Sequence, residues 1–415
     1  MFFEEKRAPL KMMSSEDELC ADIHKRITSK LTDWILSSRL VQSEDLYDGL
    51  LLDAQLESQI AFDKYTRKDN QRLLLDVERE GEIRRAEERK RQHELRSIGQ
   101  QLLSQKMRDG IVNKLNNFSY VSSNVLRLNQ SYVDVTKEMS SITGSIKRLS
   151  QVITAEPELA DNLIKLVNNP EFSRSLKRKS QKVTDVSTAC GMIGMDGLRF
   201  IIPGMFLKSR LRLECPHFPL LGQKIWTYYV TSSNAARHLM LPYTGNNRNE
   251  LTAMISGSIL CMGMAAVHQQ FSLSFEKAKR ELLDELHASK NVVLYHAVLD
   301  VEPSANIMTN LFDDSAKKVV ENIARQIDWG SKGKISRAIL DNIHNVNYTS
   351  RSKEGLALGQ GRTFATWFLL NNAKLVKENP DVEEKAMRHS RLSMQRVNDI
   401  KRHNVNKLNL GDYIG

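Results

Sequence analysis

At 415 residues, 41% of them hydrophobic, the chain can hold two or three domains, or one large domain with extensions, and wholesale disorder is excluded. Nine prolines and 20 glycines are spread thinly, apolar residues recur at i, i+3, i+4 spacing and strict alternation is rare; this excludes sandwiches and barrels and predicts an all-α chain. The net charge of +10 permits contact with nucleic acid or anionic lipid without deciding the fold, and four dispersed cysteines (Cys20, Cys190, Cys215, Cys261) with no CxxC pair exclude a disulfide framework or zinc ribbon.

The opening MFFEEKRAPLKMM places acids directly after two phenylalanines and has no apolar h-region, so it does not read as a secretory signal. SSEDEL follows, a capping signal with acids in the first turn, and Ile23, Ile27, Leu31, Trp34 and Ile35 then share one helical face. From Asp53 to Lys106 the pattern is long and charged. Glu80–Arg84 and Glu87–Arg91 stand at i, i+4 in the favourable orientation. A solvated helix from about Gln55 to Lys106 is predicted within a helical N-terminal region (residues 1–110), connecting or bracing two parts of the chain and positioning the globular part that follows. A coiled-coil homodimer is the alternative, against which stands the lack of sustained a/d heptads.

From about Asn117 to Val346 the composition is globular, with helical segments broken at Pro157, Pro170, Pro203, Pro216 and Pro219. The run AMISGSILCMG (Ala253 to Gly263), continuing to Val267, is the longest strongly apolar stretch and falls short of the ~20 residues a membrane span needs. No membrane span and a cytoplasmic location are therefore expected. Beyond this region, TSRSKEGLALGQGR (Thr349 to Arg362) reads as a loop. FATWFLLNNAKLV reads as an apolar helix that must pack on something, and Lys377 to Lys407 as a basic helix or mobile tail. Residues 346–415 thus form a C-terminal helical appendix.

The residues that carry chemistry are sparse. None of the ten histidines precedes an Asp or forms HxxxH or HExxH, and His217, two residues after Cys215, lacks companions for a four-ligand zinc site. GMIGMDG has neither P-loop nor GxGxxG spacing, GQGR has no strand before it, and GxSxG is absent. No catalytic residue, metal site or cofactor is expected. Between Lys385 and Lys407 seven Lys or Arg face one acid, Asp399. Arg388, Arg391, Arg396, Lys401 and Arg402 are accordingly candidate contacts for a partner or for nucleic acid. The tail has no interleaved aromatics for stacking bases, so a solvated charged face is the plainer reading.

Four segments, taken together, make residues about 118–345 resemble the HDOD domain (HD-related output domain) of bacterial signalling proteins. VITAEPELADNLIKLVNN resembles a family stretch with an acid–Pro pair, here Glu156–Pro157 where Asp-Pro is usual, and ends in Asn168–Asn169 where Asn-Ser is usual. VTDVSTACGMIGMDGLR keeps Ala189, Gly194, Leu198 and Arg199, and Trp226 to Ala236 is similar to a helix that begins with Trp and carries small residues. AMISGSILCMG is similar to A-x-x-x-G-L-L-H-D-I-G: Ala253, Gly257 and Gly263 keep the frame, while Leu260–Cys261 stand at the His-Asp position. Further on, Trp329, Ile335, Ala338 and Ile339 resemble the segment that ends in a His pair, near which stand Asn342 and Ile343, followed by a single His344.

The resemblance implies an all-α, HD-like helical bundle whose pocket positions, Leu260, Cys261 and Asn342, are degenerate. HD hydrolases use His and Asp to hold metals that activate water, and these side chains are not a donor set for a hard cation. It further implies a non-catalytic signalling or scaffolding module of a bacterial cytoplasm, acting on unidentified signalling proteins, with Phe364 to Leu370 as a candidate contact unless it packs internally. A nucleic-acid-associated regulator using the basic tail, a nucleotide-sensing degenerate pocket and a residual phosphohydrolase are the rivals.

Overall fold

The computed structural model describes residues 15–36, 76–141, 143–170, 172, 182–211, 218–244, 248–303, 305–376 and 379–406. Among them there is no strand; the all-α expectation holds. In chain order the helices are α1 (Ser15–Leu36), α2 (Asp76–Asn116), α3 (Gln130–Ser140), α4 (Ile146–Thr154), α5 (Pro157–Val167), α6 (Val186–Arg210), α7 (Leu221–Thr244), α8 (Arg248–Ala288), α9 (Val292–Leu299), α10 (Ala305–Gln326), α11 (Lys334–Ile343), α12 (Lys353–Asn372), α13 (Pro380–His389) and α14 (Met394–Lys401). Side-chain caps start several of them: Asn129, Ser145, Asp185, Asn291 and Ser393 each accept from the backbone amide three residues on, which satisfies one of the first-turn donors.

Helix α8 is the axis of the bundle. It packs against α2, α6, α7, α9, α10, α11 and α12. Its sequence explains this, because a helix apolar on every side is stable only when covered on every side. The short side chains of AMISGSILCMG let the neighbours close in: a Cβ on Gly263 would sit 2.6 Å from the Ala316 carbonyl oxygen of α10. By length and composition residues Glu250–Ala288 could cross a membrane, which corrects the expectation that this run is too short; 89% of its apolar window is buried inside the protein.

The predicted solvated helix is helical and largely exposed where it is described up to Lys106, with Leu103 the buried apolar exception, and it continues past that residue as a packed helix. Residues 53–75 lie outside the described residues. Within α2 the described side chains from Arg84 to Glu94 are exposed, whereas Leu103, Met107, Ile111 and Leu115 form a buried stripe against α8 and α10. The i, i+4 spacing of those four residues was masked by the dense charge around them.

A second core joins the two ends of the chain. Ile23 and Ile27 of α1 pack with Ala235 and Leu239 of α7, Leu358, Phe364 and Trp367 of α12, Met387 of α13, and Val397 and Ile400 of α14. The stretch expected to be a loop is therefore helix from Lys353 onward, and Phe364, Trp367 and Leu370 are internal packing rather than a free surface. The tail, expected as a basic helix or a mobile segment, is two capped helices, α13 and α14, with their own buried residues up to Val405.

Candidate functional site

The motif residues quoted from the sequence hold the scaffold together. Pro157 occupies the first turn of α5, where its missing N–H costs nothing. Asn168 clamps the incoming chain from both sides: its amide donates to the Val183 carbonyl at 2.8 Å, and the Val183 N–H donates back to its oxygen at 2.9 Å. Gly194 has φ of +75°, the left-handed region that a Cβ opposes, and breaks α6 into two helical pieces. The break places Ala189 and Leu198 in the core and turns Arg199 toward α3, where Nε donates to the Met139 carbonyl at 3.0 Å and Nη1 pairs with Asp196 at 2.9 Å. Trp226 lies half-buried over α6, its ring 5.6 Å from the Lys208 ammonium. Gly257 lets α8 close on α7, since a Cβ there would meet the Ser233 hydroxyl.

At the His-Asp position Leu260 bridges the two cores and Cys261 is buried. Burial pushes the Cys261 thiol up to about 12, only partly opposed by the Arg362 guanidinium, so it remains a neutral, packed thiol. Asn342 is buried on α11; its amide donates to the Ala338 carbonyl at 2.8 Å and to the Gly355 carbonyl at 2.9 Å, tying α11 to α12. An aliphatic side chain, a protonated thiol and an amide whose oxygen already accepts from the Arg351 guanidinium do not fit a hard divalent metal. Among the described residues no three His, Cys, Asp or Glu are grouped to hold one. Cys20 and Cys190 are also free and buried, while Cys215 and His217 lie outside the described residues.

Residues that no sequence motif announced converge beside Cys261. Arg351, in the turn before α12, donates from Nε to the Val346 carbonyl (2.7 Å) and from Nη1 to Asn342 Oδ1 (3.0 Å), with its guanidinium 3.7 Å from the centre of the Tyr348 ring. Arg362, two turns and a half into α12, donates from Nε to the buried Tyr228 hydroxyl at 3.2 Å. From α1 comes His24 and from α13 His389, their ring centroids 4.6 Å apart, with Tyr348 edge-on to both. Burial, then His389, Arg362 and Arg351, hold the His24 pKa down at about 3; burial and Arg351 lower that of His389. Both rings are thus neutral beside two guanidiniums.

Gly359 makes this arrangement possible. A Cβ there would fall 2.2 Å from Arg351 Nη1 and 2.9 Å from Asn342 Oδ1, so the glycines of GQGR serve helix packing and a close side-chain approach rather than a phosphate loop. The signal that was present is the (i, i+4) and (i, i+6) glycine series Gly355, Gly359 and Gly361; without the fold it read as a loop.

The basic candidates of the tail are distributed over α13, α14 and the turn between them. Arg388 pairs with Glu16 of α1 at 2.6 Å, Lys401 with Glu383 at 2.6 Å and Arg402 with Asp399 at 3.3 Å. Arg391 is exposed in a left-handed turn (φ +58°) whose carbonyl accepts from Gln360 at 2.9 Å, and Arg396 lies in the first turn of α14. They do not gather with Cys261 and Asn342.

Residues 126–300 match the family model of the HDOD domain, inside the stretch 118–345 whose motifs suggested it. No curated protein and no solved structure matches the chain. The match takes in the second half of the turn before α3 and everything through α9, and leaves α1, α2 and α10 to α14 as additions around it. Over residues 126–300, then, this chain is similar to the HDOD domain.

Proposed function

We propose that the chain is a non-catalytic signalling or scaffolding protein of a bacterial cytoplasm that works through protein contacts. The observation that carries this reading is the replacement of the His-Asp pair by Leu260 and Cys261, both packed among neighbouring side chains at the centre of the bundle. Metal-assisted phosphoester hydrolysis needs an open coordination position and a donor set, and neither side chain supplies one.

A surface for the contact is supported by α2 and α9. These helices pack on each other, with Gly99 close against the Ala297 backbone, yet Ile98 and Leu102 on α2 and Val292, Val293 and Leu299 on α9 stay exposed. Apolar side chains gathered on packed neighbours favour a protein partner over solvent. The nucleic-acid reading is weaker, because three of its five cations already have intramolecular carboxylate partners.

The test is capture of the tagged full chain from its native cytoplasm, with and without nuclease, in parallel with a Val293→Asp, Ile98→Asp variant. Proteins that survive nuclease and are lost with the variant support the reading. If everything captured vanishes with nuclease and the variant changes nothing, the basic tail is the working surface and the proposal fails.

A further inference from the structure

The Arg351–Arg362 cleft has the chemistry of an anion site and, among the described residues, no anion of its own. Among the described residues neither guanidinium forms an ion pair with a carboxylate. The carboxylate that Arg351 senses, Asp341, is taken up at the start of α12, where it accepts from the Ser352 amide at 2.9 Å and its hydroxyl at 2.6 Å. Both Nη groups of Arg362 lack a hydrogen-bond partner among the described residues. So does the buried His24 Nδ1. Two partly buried cations that repel each other and leave donors unused are costly in isolation, and the cost is removed by a shared oxyanion.

The cleft is also reachable. His24, Tyr348, Arg351, Arg362 and His389 are each only partly buried, while Tyr228 and Cys261 beneath them are closed off. A guanidinium fork presents parallel donors suited to the oxygens of a phosphoryl group, and here two guanidiniums and two imidazoles lie near enough to one another to interact electrostatically.

We propose that this cleft binds a phosphoryl oxyanion, gripped between Arg351 and Arg362, with His24 and His389 closing over it from α1 and α13. It stands apart from the protein contacts proposed above, which lie on α2 and α9. Its consequence is structural: the ligand bridges helices from the two ends of the chain that otherwise meet through the second core and the exposed Arg388–Glu16 pair.

The experiment titrates the full chain with inorganic phosphate, pyrophosphate and a nucleoside triphosphate, each against chloride at matched ionic strength, by calorimetry and by the long-range 1H–15N spectrum of the histidine rings. Saturable binding of one equivalent is expected, with the His24 and His389 resonances moving at the same midpoint. Arg362→Lys and Arg351→Lys keep the charge but lose the fork and should each weaken binding about tenfold or more, whereas Lys277→Gln, on the exposed face of α8, should not. Equal affinity for pyrophosphate and nucleotide makes the phosphoryl group itself the ligand; tighter nucleotide binding makes it a nucleotide. The proposal is overturned if no probe saturates in the low-millimolar range. It is equally overturned if binding occurs without moving either histidine, a readout that does not depend on any variant folding.

Discussion

A Cβ placed on Gly361 would lie 2.6 Å from the Ser232 carbonyl oxygen, across the closest approach of α12 to α7. No rotamer change relieves a clash with backbone, so α12 would have to retreat. Gly361→Ala is expected to destabilise the protein by about 1–3 kcal/mol, the usual range for overpacking, despite the better helix propensity of alanine. Gly110, an exposed helical position on α2 with nothing within 4 Å of its added Cβ, should respond with the opposite sign. Gly110→Ala should stabilise by about 0.5–1 kcal/mol. Denaturant midpoints of the two variants decide the matter; the same sign for both would remove the packing account of α12.

Docking of α1 should depend on its apolar face and little on its ion pair. Ile27 is fully buried, and Ile27→Ala is expected to cost about 2–5 kcal/mol. Arg388–Glu16 spans the same two helices, but both side chains are half exposed, so Glu16→Gln should change stability by about 1 kcal/mol or less. Limited proteolysis reads this directly. Cleavage between α1 and α2 should release α1 from the Ile27 variant and leave it bound in the Glu16 variant.

The bundle was legible because its signals are local. The SSEDEL start of α1, Pro157, Gly194 and the apolar continuity of α8 all act within a few residues of where they stand. The two arginines and two histidines were not legible, because residues 24, 351, 362 and 389 meet only after α1, α12 and α13 have docked. The first half of α12 was itself hidden: three glycines within seven residues oppose a helix by roughly 1 kcal/mol each in isolation. Close packing against Ser232, Asp341 and Arg351 then overrides that propensity. For the tail the choice between a basic helix and a mobile segment stayed open for a related reason, since Val382, Met387, Val397 and Ile400 find their partners in α1, α7 and α12 rather than along the tail itself.

Helix α2 should behave as two halves. Its exposed stretch from Arg84 to Glu94 depends on helix propensity and i, i+4 pairs of a few tenths of a kcal/mol each, whereas its last turns are held by Leu103, Met107, Ile111 and Leu115. Hydrogen exchange should show amides from Arg84 to Glu94 exchanging rapidly and those from Leu103 to Leu115 protected by several orders of magnitude more. Ile111→Ala, at a fully buried position, should lower global stability by about 2–5 kcal/mol. Uniform protection along α2 would mean that its first half is covered by something, such as a second copy of the chain.

Acid should destabilise the protein in a window set by its buried histidines. Burial holds His24 at about 3, and His238 and His268 at about 4, against an ordinary value near 6.5. The folded chain keeps these rings neutral from neutral pH down to those values, while the unfolded chain protonates them below about 6.5. More protons are then bound by the unfolded state, so stability falls as pH drops through this window, by up to about 1.4 kcal/mol per histidine for each pH unit. Asp185 and Asp328, whose pKa values are lowered, act in the same direction but only in the more acidic carboxylate range. Glu250 opposes the trend: burial raises its pKa, so its contribution grows as pH falls toward its unfolded value. The measurement is the unfolding free energy from pH 7.5 to 4.5 for the wild type and for His268→Gln. His268 is buried, its Nε2 has no partner, and burial is the cause of its shift, which makes it the cleanest of the three. The variant's absolute stability is immaterial; its slope against pH should be shallower than the wild type's throughout the window. An unchanged slope would mean that His268 is hydrated and titrates normally, and the acid sensitivity would then have to be assigned to His24 and His238 alone.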